Sequence, residues 1–177
     1  IGGNSMGGAI AGLYAARHPD MVTSVWLLAP AGVDSAEPSE LMGLLRQGHN
    51  PLLVHTVADF ERLLEFVFVE IPSIPGPIVG YLTEQAIAQR PFNEKIFQDF
   101  IAHPASLESE AQNIQSPTLI TWGDQDRLLH VSGAAILDAL IPDSHLVIMK
   151  NIGHIPMIER PHESARQFLR FRGLVPE

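Results

Sequence analysis

The segment VTSVWLLAP at 22–30 is a short, largely apolar, β-rich run closed by Pro30 and Gly32. Such a run predicts a strand buried on both faces, the condition of a parallel sheet. PTLITWG at 117–123 and SHLVIMK at 144–150 predict two further buried strands. Around them the apolar spacing changes to a helical period. MGGAIAGLYAARHPD (6–20) has small and apolar residues at helical spacing and predicts a helix packed closely on a sheet. SGAAILDALIP (132–142) predicts a helix ended by Pro142. PHESARQFLRFRG (161–173) predicts an amphipathic helix that Pro161 starts and Gly173 ends. Helices alternating with buried strands define an α/β domain with a mainly parallel sheet.

Between about 33 and 114 no strand pattern stands out. ELMGLLRQG, TVADFERLLEFVFVE, IVGYLTEQAIAQ and NEKIFQDFIAH carry helical periodicity, and Pro and Gly punctuate the stretch at PSIPGP. Thr56 followed by Asp59 fits a helix N-cap with an acidic residue in the first turn. A helical stretch of roughly 80 residues between two strands is far longer than an ordinary crossover. The expected organisation is therefore a sheet-forming core at 1–32 and 115–177, with a helical insertion at 33–114.

Composition narrows the function classes. The 177 residues are 46% hydrophobic, enough for a core, and carry a net charge of −9. The 11 basic residues are scattered, which argues against nucleic acid as a partner, because gripping a phosphate backbone requires clustered Lys and Arg. With no cysteine there is no disulfide framework, thiolate nucleophile or Cys-based zinc site. Uncharged stretches such as MVTSVWLLAPAGV and IPSIPGPIVGYLT are too short or too rich in Pro to cross a bilayer. No signal peptide is visible, and the cellular location is left unassigned.

Gly3-Asn4-Ser5-Met6-Gly7 fits G-x-S-x-G. In a nucleophile elbow the serine occupies a sharp strand-to-helix turn with strained backbone angles. Side chains two residues before and after it would collide with neighbouring backbone, and glycine at 3 and 7 is expected to remove that clash. The turn lifts the Ser5 hydroxyl above the sheet edge and aims the Met6 N–H at a forming oxyanion. Gly/Ser loops also produce this motif by chance, so its context matters. A helical pattern follows at once, and Gly8 and Ala9 permit close approach to a sheet. Only Ile1 precedes the motif as an apolar residue, so the strand an elbow requires is not legible.

A serine nucleophile needs a base, and the base an orienting acid, in the chain order Ser, Asp or Glu, His. Both partners are expected just after buried strands, at the carboxyl edge of the sheet. WGDQDRLLHV offers Asp124 and Asp126. Asp126 lies further into the loop and is preferred, whereas Asp124 suits a turn-capping role. Asp34, just after the first strand, is a further alternative. His154 follows Gly153 directly after the third strand, and His18, His49, His55, His103, His130, His145 and His162 lack that placement. No His/Glu set has metal-ligand spacing such as H-E-x-x-H. Ser5, Asp126 and His154 therefore form a complete candidate triad.

GNSMGG, PTLITWGDQD and NIGHIPMIERP resemble the α/β-hydrolase superfamily, and the resemblance covers essentially the whole chain. SMGGAIAGLYAARHPD, APAGVD, WGDQDRLLHVSGA and GHIPMIERP are similar to the monoacylglycerol-lipase-like branch and related bacterial lipases and esterases. The resemblance implies a mainly parallel eight-stranded sheet with a helical cap after the sixth strand. The three predicted strands then correspond to the sixth, seventh and eighth, and 33–114 to the cap. On this reading the chain is the C-terminal part of a hydrolase, beginning at the elbow. The first five strands and the loop supplying a second oxyanion donor lie outside it. Strand 22–30 would expose a bare apolar edge, and these 177 residues alone are expected to be unstable or inactive.

The implied chemistry is ester hydrolysis through an acyl-enzyme, without cofactor or metal. The implied partners are a small ester or lipid substrate and the N-terminal half of the same fold. Leu64, Phe66, Phe68, Ile78, Tyr81 and Leu82 of the cap are expected to shape an acyl pocket or to pack the cap on itself. The alternative enzyme is a carbon–carbon bond hydrolase of the meta-cleavage-product type. That family tends to carry Trp after the catalytic His, where this chain has Ile155, and uses a cap arginine, for which Arg62 and Arg90 are candidates. Dehalogenases and epoxide hydrolases are disfavoured by Ser5, since their elbow carries Asp. A non-catalytic binding relative would normally have lost a triad member.

Overall fold

The computed structural model describes residues 1–176. In chain order its elements are β1 Gly2–Ser5, α1 Met6–Arg17, β2 Val25–Pro30, α2 Glu40–Arg46, α3 Val57–Val67, α4 Gly76–Ala88, α5 Arg90–Ala102 and α6 Leu107–Glu110. They continue with β3 Thr118–Gly123, α7 Ser132–Leu140, β4 Ser144–Met149, α8 Pro156–Glu159 and α9 Pro161–Phe171. The four strands form one parallel sheet in the order β1-β2-β3-β4.

Successive side chains of a strand point to opposite faces. Val25, Leu27 and Ala29 of β2, with Ile120 and Trp122 of β3, face one way and pack with Leu13 and Ala15 of α1 and Ala134 and Leu137 of α7. Leu107, Ala111 and Ile114, from α6 and the turn after it, complete that core. Trp26 points to the other face, where it stacks on Phe168 of α9 with ring centroids 4.8 Å apart. Its indole N–H donates to Thr121 Oγ1 at 3.0 Å. Both faces of β3 are therefore covered and every residue of it is buried, which is why its sequence reads as a continuous apolar run.

The sheet differs from the sequence expectation in two strands: β4, expected to be buried, ends the sheet with only Met149 buried, and a strand not foreseen precedes α1. Gly2–Ser5 pairs in parallel with β2, in the register Gly2 with Trp26 and Gly3 with Leu27. GGNS has no apolar alternation to betray a strand. With β1 on one side and β3 on the other, β2 is an interior strand, not the bare edge expected for 22–30. Element ends also shift where side chains stop the helix. α1 ends at Arg17, and Pro19–Met21 forms a separate 3₁₀ turn. The one-turn helices α6 and α8 were not expected, because four residues cannot display a period.

Helices α2–α5 fall between β2 and β3. α3 opens with a capping box: Thr56 Oγ1 accepts the Asp59 N–H at 3.2 Å, and Asp59 Oδ2 accepts the Thr56 N–H at 2.8 Å. The Thr56 hydroxyl, with the neighbouring N–H groups and the Arg62 guanidinium, holds the Asp59 carboxyl down at about 2. A second apolar cluster joins Leu41 of α2, Phe66 and Val67 of α3, and Phe68 to Leu128, with Ile155 packed against it. Leu128 and Ile155 belong to the loops after β3 and β4, so α2 and α3 rest directly on the carboxyl edge of the sheet. Arg127 reinforces this seat: it pairs with Glu40 at 2.7 Å, donates to Glu65 O at 3.0 Å and lies over the Phe66 ring. α4 and α5 are less buried, and of their residues only Thr83 is fully so. Among the described residues no helix is long and apolar enough to cross a membrane.

Candidate active site

Strand β1 passes into α1 without an intervening residue, and the turn falls on Ser5. Ser5 has φ 57° and ψ −124°, a strained conformation for a residue with a side chain, and the sheet register slips between Asn4 and Ser5. Ala29 and Asn151, both near the carboxyl ends of strands, also have positive φ, so the strained backbone gathers at this edge. The Ser5 carbonyl accepts the Ala31 N–H at 3.0 Å. Although Ser5 occupies the N-cap of α1, its hydroxyl makes no capping bond and is free for other work. Met6 is the first residue of α1; N–H groups in a first helical turn lack an intrahelical acceptor and lie at the positive end of the helix dipole.

The elbow glycines divide their roles differently from expectation. A Cβ on Gly3 would run into the backbone of Gly7, but a Cβ on Gly7 would meet nothing within 4 Å. It is Gly8 that must stay bare on the helix side, since its Cβ would lie 2.9 Å from Pro30 Cβ and 3.0 Å from Gly3 O.

Asp126 and His154 meet at 2.7 Å between Oδ2 and Nδ1, with 6% and 3% of their surfaces exposed. Asp126 Oδ1 accepts the N–H groups of Leu128 at 2.8 Å and Leu129 at 3.0 Å. Its Oδ2 also accepts the indole N–H of Trp122 at 3.1 Å. The three N–H partners all donate, the set a carboxylate accepts. With Asp126 ionised, the proton shared with His154 sits on Nδ1 and the Nε2 lone pair is available. Nε2 is buried and has no hydrogen-bond partner. The Ser5 hydroxyl therefore does not close the bond to it; such contacts are often open in unliganded hydrolases and tighten with substrate.

Several residues that sequence reasoning passed over hold His154 in place. Asn4, beside Ser5 in the elbow, donates from Nδ2 to both Leu28 O and His154 O at 3.0 Å, tying the His154 loop to β1 and β2. The His154 N–H donates to Val67 O at 2.9 Å. Trp122 supports Asp126 from within β3. The sequence signals were present, an amide side chain beside the serine and a tryptophan four residues before the acid, but neither names its partner.

The rejected alternatives are engaged elsewhere. Asp124 accepts the Asn151 N–H at 2.7 Å and pairs with Lys150 at 3.3 Å, joining the loops after β3 and β4. Burial works to raise its carboxyl, and these contacts outweigh that and lower it. Asp34 is exposed in the loop after β2. Arg62 pairs with Asp59, and Arg90 lies against His55 Nδ1 at 3.1 Å and Glu94 at 3.4 Å.

Ser5 and Met6 open into a cavity of about 270 Å³. Its wall is mainly apolar: Leu41, Leu52, Leu53, Ile96, Phe97 and Phe100 from the helical stretch, and Leu128 and Leu129 from the loop after β3. None of the six residues expected to shape an acyl pocket lines it. Phe66 and Phe68 are buried in the second cluster with Leu64 against them, while Ile78, Tyr81 and Leu82 are exposed. The helices that reach Ser5 are α2 and α5.

This elbow, the acid–histidine pair and the parallel sheet beneath them agree with the family comparison. The chain belongs to the α/β-hydrolase fold family, whose profile matches residues 1–161. It is 33% identical over 176 residues to Lipase 3 of Moraxella sp. (strain TA144), covering 97% of this chain and 55% of that protein. It is 34% identical over 178 residues to monoacylglycerol lipase abhd6-B of Xenopus laevis, covering 96% and 53%. The crystal structure of a membrane phospholipase A, a bacterial virulence factor, superposes with a TM-score of 0.94 at 47% identity, covering 97% of this chain and 56% of that one. The chain thus spans about half the length of the curated relatives it matches.

Proposed function

We propose that the full-length protein is a carboxylic ester hydrolase acting on acylglycerols or similar lipid esters. Ser5 is the nucleophile, His154 the general base and Asp126 the orienting acid. The observation that carries this reading is the His154 imidazole: Nδ1 is engaged by Asp126 at 2.7 Å, and Nε2 is buried and free. Nε2 takes the Ser5 proton as the oxygen attacks the ester carbonyl. The Met6 N–H, with a second donor from elsewhere in the protein, holds the oxyanion. The imidazolium returns its proton to the departing alcohol, and water repeats the sequence on the acyl-enzyme. Residues 33–114 act as a cap whose α2 and α5 supply the apolar wall for an acyl chain. The lipase and monoacylglycerol lipase relatives support the lipid-ester class.

The carbon–carbon hydrolase reading has less support. Ile155 stands where that family tends to place Trp, and Arg62 and Arg90 are already paired within the helical stretch. The test is hydrolysis of a monoacylglycerol and of p-nitrophenyl butyrate by the full-length protein beside Ser5→Ala. Turnover of both esters that disappears in the variant is the expected result. A folded protein that cleaves neither ester but cleaves a vinylogous diketone would transfer the assignment to the alternative.

A further inference from the structure

Glu159 carries a buried carboxylate that the proposed reaction does not use. It ends α8 and is 6% exposed. Its oxygens are occupied by main-chain donors from two separate parts of the chain. Oε1 accepts the N–H groups of Val69 at 3.2 Å and Glu70 at 2.9 Å, just beyond α3. Oε2 accepts the N–H of Gly153 at 2.9 Å, the residue before His154. Hydrogen bonds to a carboxylate are among the stronger ones, and a buried carboxylate survives folding only when so satisfied.

These bonds close a ring around the histidine. The His154 N–H already binds Val67 O at 2.9 Å, so residues 153 and 154 are both held against the segment leaving α3, one directly and one through Glu159. The fit leaves no slack, since a Cβ on Gly153 would lie 2.5 Å from Val67 O. Arg160 extends the seam on the outside through an ion pair with Glu70 at 2.9 Å.

We propose that Glu159 is a positioning residue for His154. It locks the histidine loop to the chain leaving α3 at one spacing, and so sets where Nε2 stands relative to the Ser5 hydroxyl. This rests on the ester-hydrolase reading above. An amide at 159 cannot substitute: it offers one acceptor oxygen, and its NH₂ would face either Gly153 N–H or the Val69 and Glu70 N–H groups, donor against donor.

The experiment uses the full-length protein with Glu159→Gln, Glu159→Asp and Arg160→Ala. kcat and KM for p-nitrophenyl butyrate are measured per active site, with sites counted by complete labelling with a fluorophosphonate. The downfield Nδ1–H proton resonance of His154 is followed in parallel. Glu159→Gln is expected to lower kcat about a hundredfold, the scale of a ~1 Å misplacement, with KM changed less than about twofold. Its histidine resonance should move or broaden. Arg160→Ala, which disturbs the same seam without touching the carboxylate, should keep kcat within about twofold of wild type. Glu159→Asp keeps both acceptor oxygens but withdraws them by one methylene, and should lie between; it carries the measurement if the amide variant does not fold. An unchanged resonance, per-site kcat within about threefold of wild type in Glu159→Gln, or an equal loss in Arg160→Ala would overturn the proposal. A wild type that turns over no ester, with a resonance that still moves in Glu159→Gln, would sink the ester reading and leave the positioning role standing.

Discussion

Replacing Asp126 by Asn tests the proposed site through a single atom. The wild-type carboxylate accepts from four donors, the N–H groups of Leu128 and Leu129 on Oδ1 and those of Trp122 and His154 on Oδ2. An asparagine offers one oxygen and one NH₂. Turning the NH₂ toward the loop would strand two backbone donors, one buried and one part-buried, a buried one costing about 1–3 kcal/mol. The oxygen therefore stays on Leu128 and Leu129, and the NH₂ faces Trp122 and His154. Trp122 retains Leu129 O as an acceptor at 3.0 Å. His154 can meet an NH₂ only by accepting at Nδ1, which moves its own proton to Nε2. The nitrogen facing the elbow is then a donor and cannot take the Ser5 proton. In a Ser-His-Asp site the wrong tautomer costs about 10⁴-fold in kcat, or about 5.5 kcal/mol of barrier. The assay is steady-state hydrolysis of p-nitrophenyl butyrate by full-length Asp126→Asn beside Ser5→Ala, with folding checked by circular dichroism. A folded variant retaining more than about a tenth of wild-type kcat would refute the tautomer argument.

Gly153→Ala places a methyl 2.5 Å from the Val67 carbonyl, a backbone atom that cannot swing aside. Overpacking of this kind costs about 1–3 kcal/mol, so calorimetry should find a lower Tm together with a lower kcat, and an unchanged Tm would contradict the packing. Leu107 is fully buried in the core between sheet and helices. Leu107→Ala should destabilise by about 2–5 kcal/mol, read as a lower denaturant midpoint at unchanged slope, and a midpoint equal to wild type would count against its core role. The Asp59 carboxyl lies at about 2 in the folded chain, held down first by the Thr56 hydroxyl. An unperturbed aspartate titrates near about 3.9. Because the folded value is the lower one, its stabilising effect is full above about pH 4 and is lost as pH falls through about 2. The Tm gap between wild type and Asp59→Asn should close over that window, and a gap constant across it would show that the charge of Asp59 does not matter.

How far the architecture was legible depended on whether side chains or distant partners defined each feature. The strands at 22–30 and 117–123 were readable because burial on both faces demands a continuous apolar run, whereas the run at 144–150 marked a strand but not its burial, since β4 ends the sheet and only its Met149 is buried. Strand β1 was not, because a strand of GGNS is specified by pairing with β2 and not by its own side chains. The N-cap of α3 at Thr56, with Asp59 in the first turn, was readable because cap and partner lie three residues apart. The lining of the Ser5 cavity was not: periodicity identifies an amphipathic helix but not which helices turn toward the elbow, and α2 and α5 do so while Tyr81 and Leu82 of α4 face solvent.

The sequence by itself determined the α/β class, the elbow motif, and an aspartate and a histidine placed just after strands. Those features are local, set by residue type and spacing along a few neighbouring positions. Tertiary structure decided which carboxylate meets His154, pairing it with Asp126 while Asp124 turns to Asn151 and Lys150. It also decided that Gly8 rather than Gly7 must stay bare, and that Asn4, Val67 and Glu159 hold the histidine loop. Gly8 is fixed by the close approach of Pro30; the hydrogen-bonded cases share another physical reason. A buried backbone donor or acceptor must find a partner, and here that partner lies on another element, brought within reach only when the sheet and the helices above it have packed.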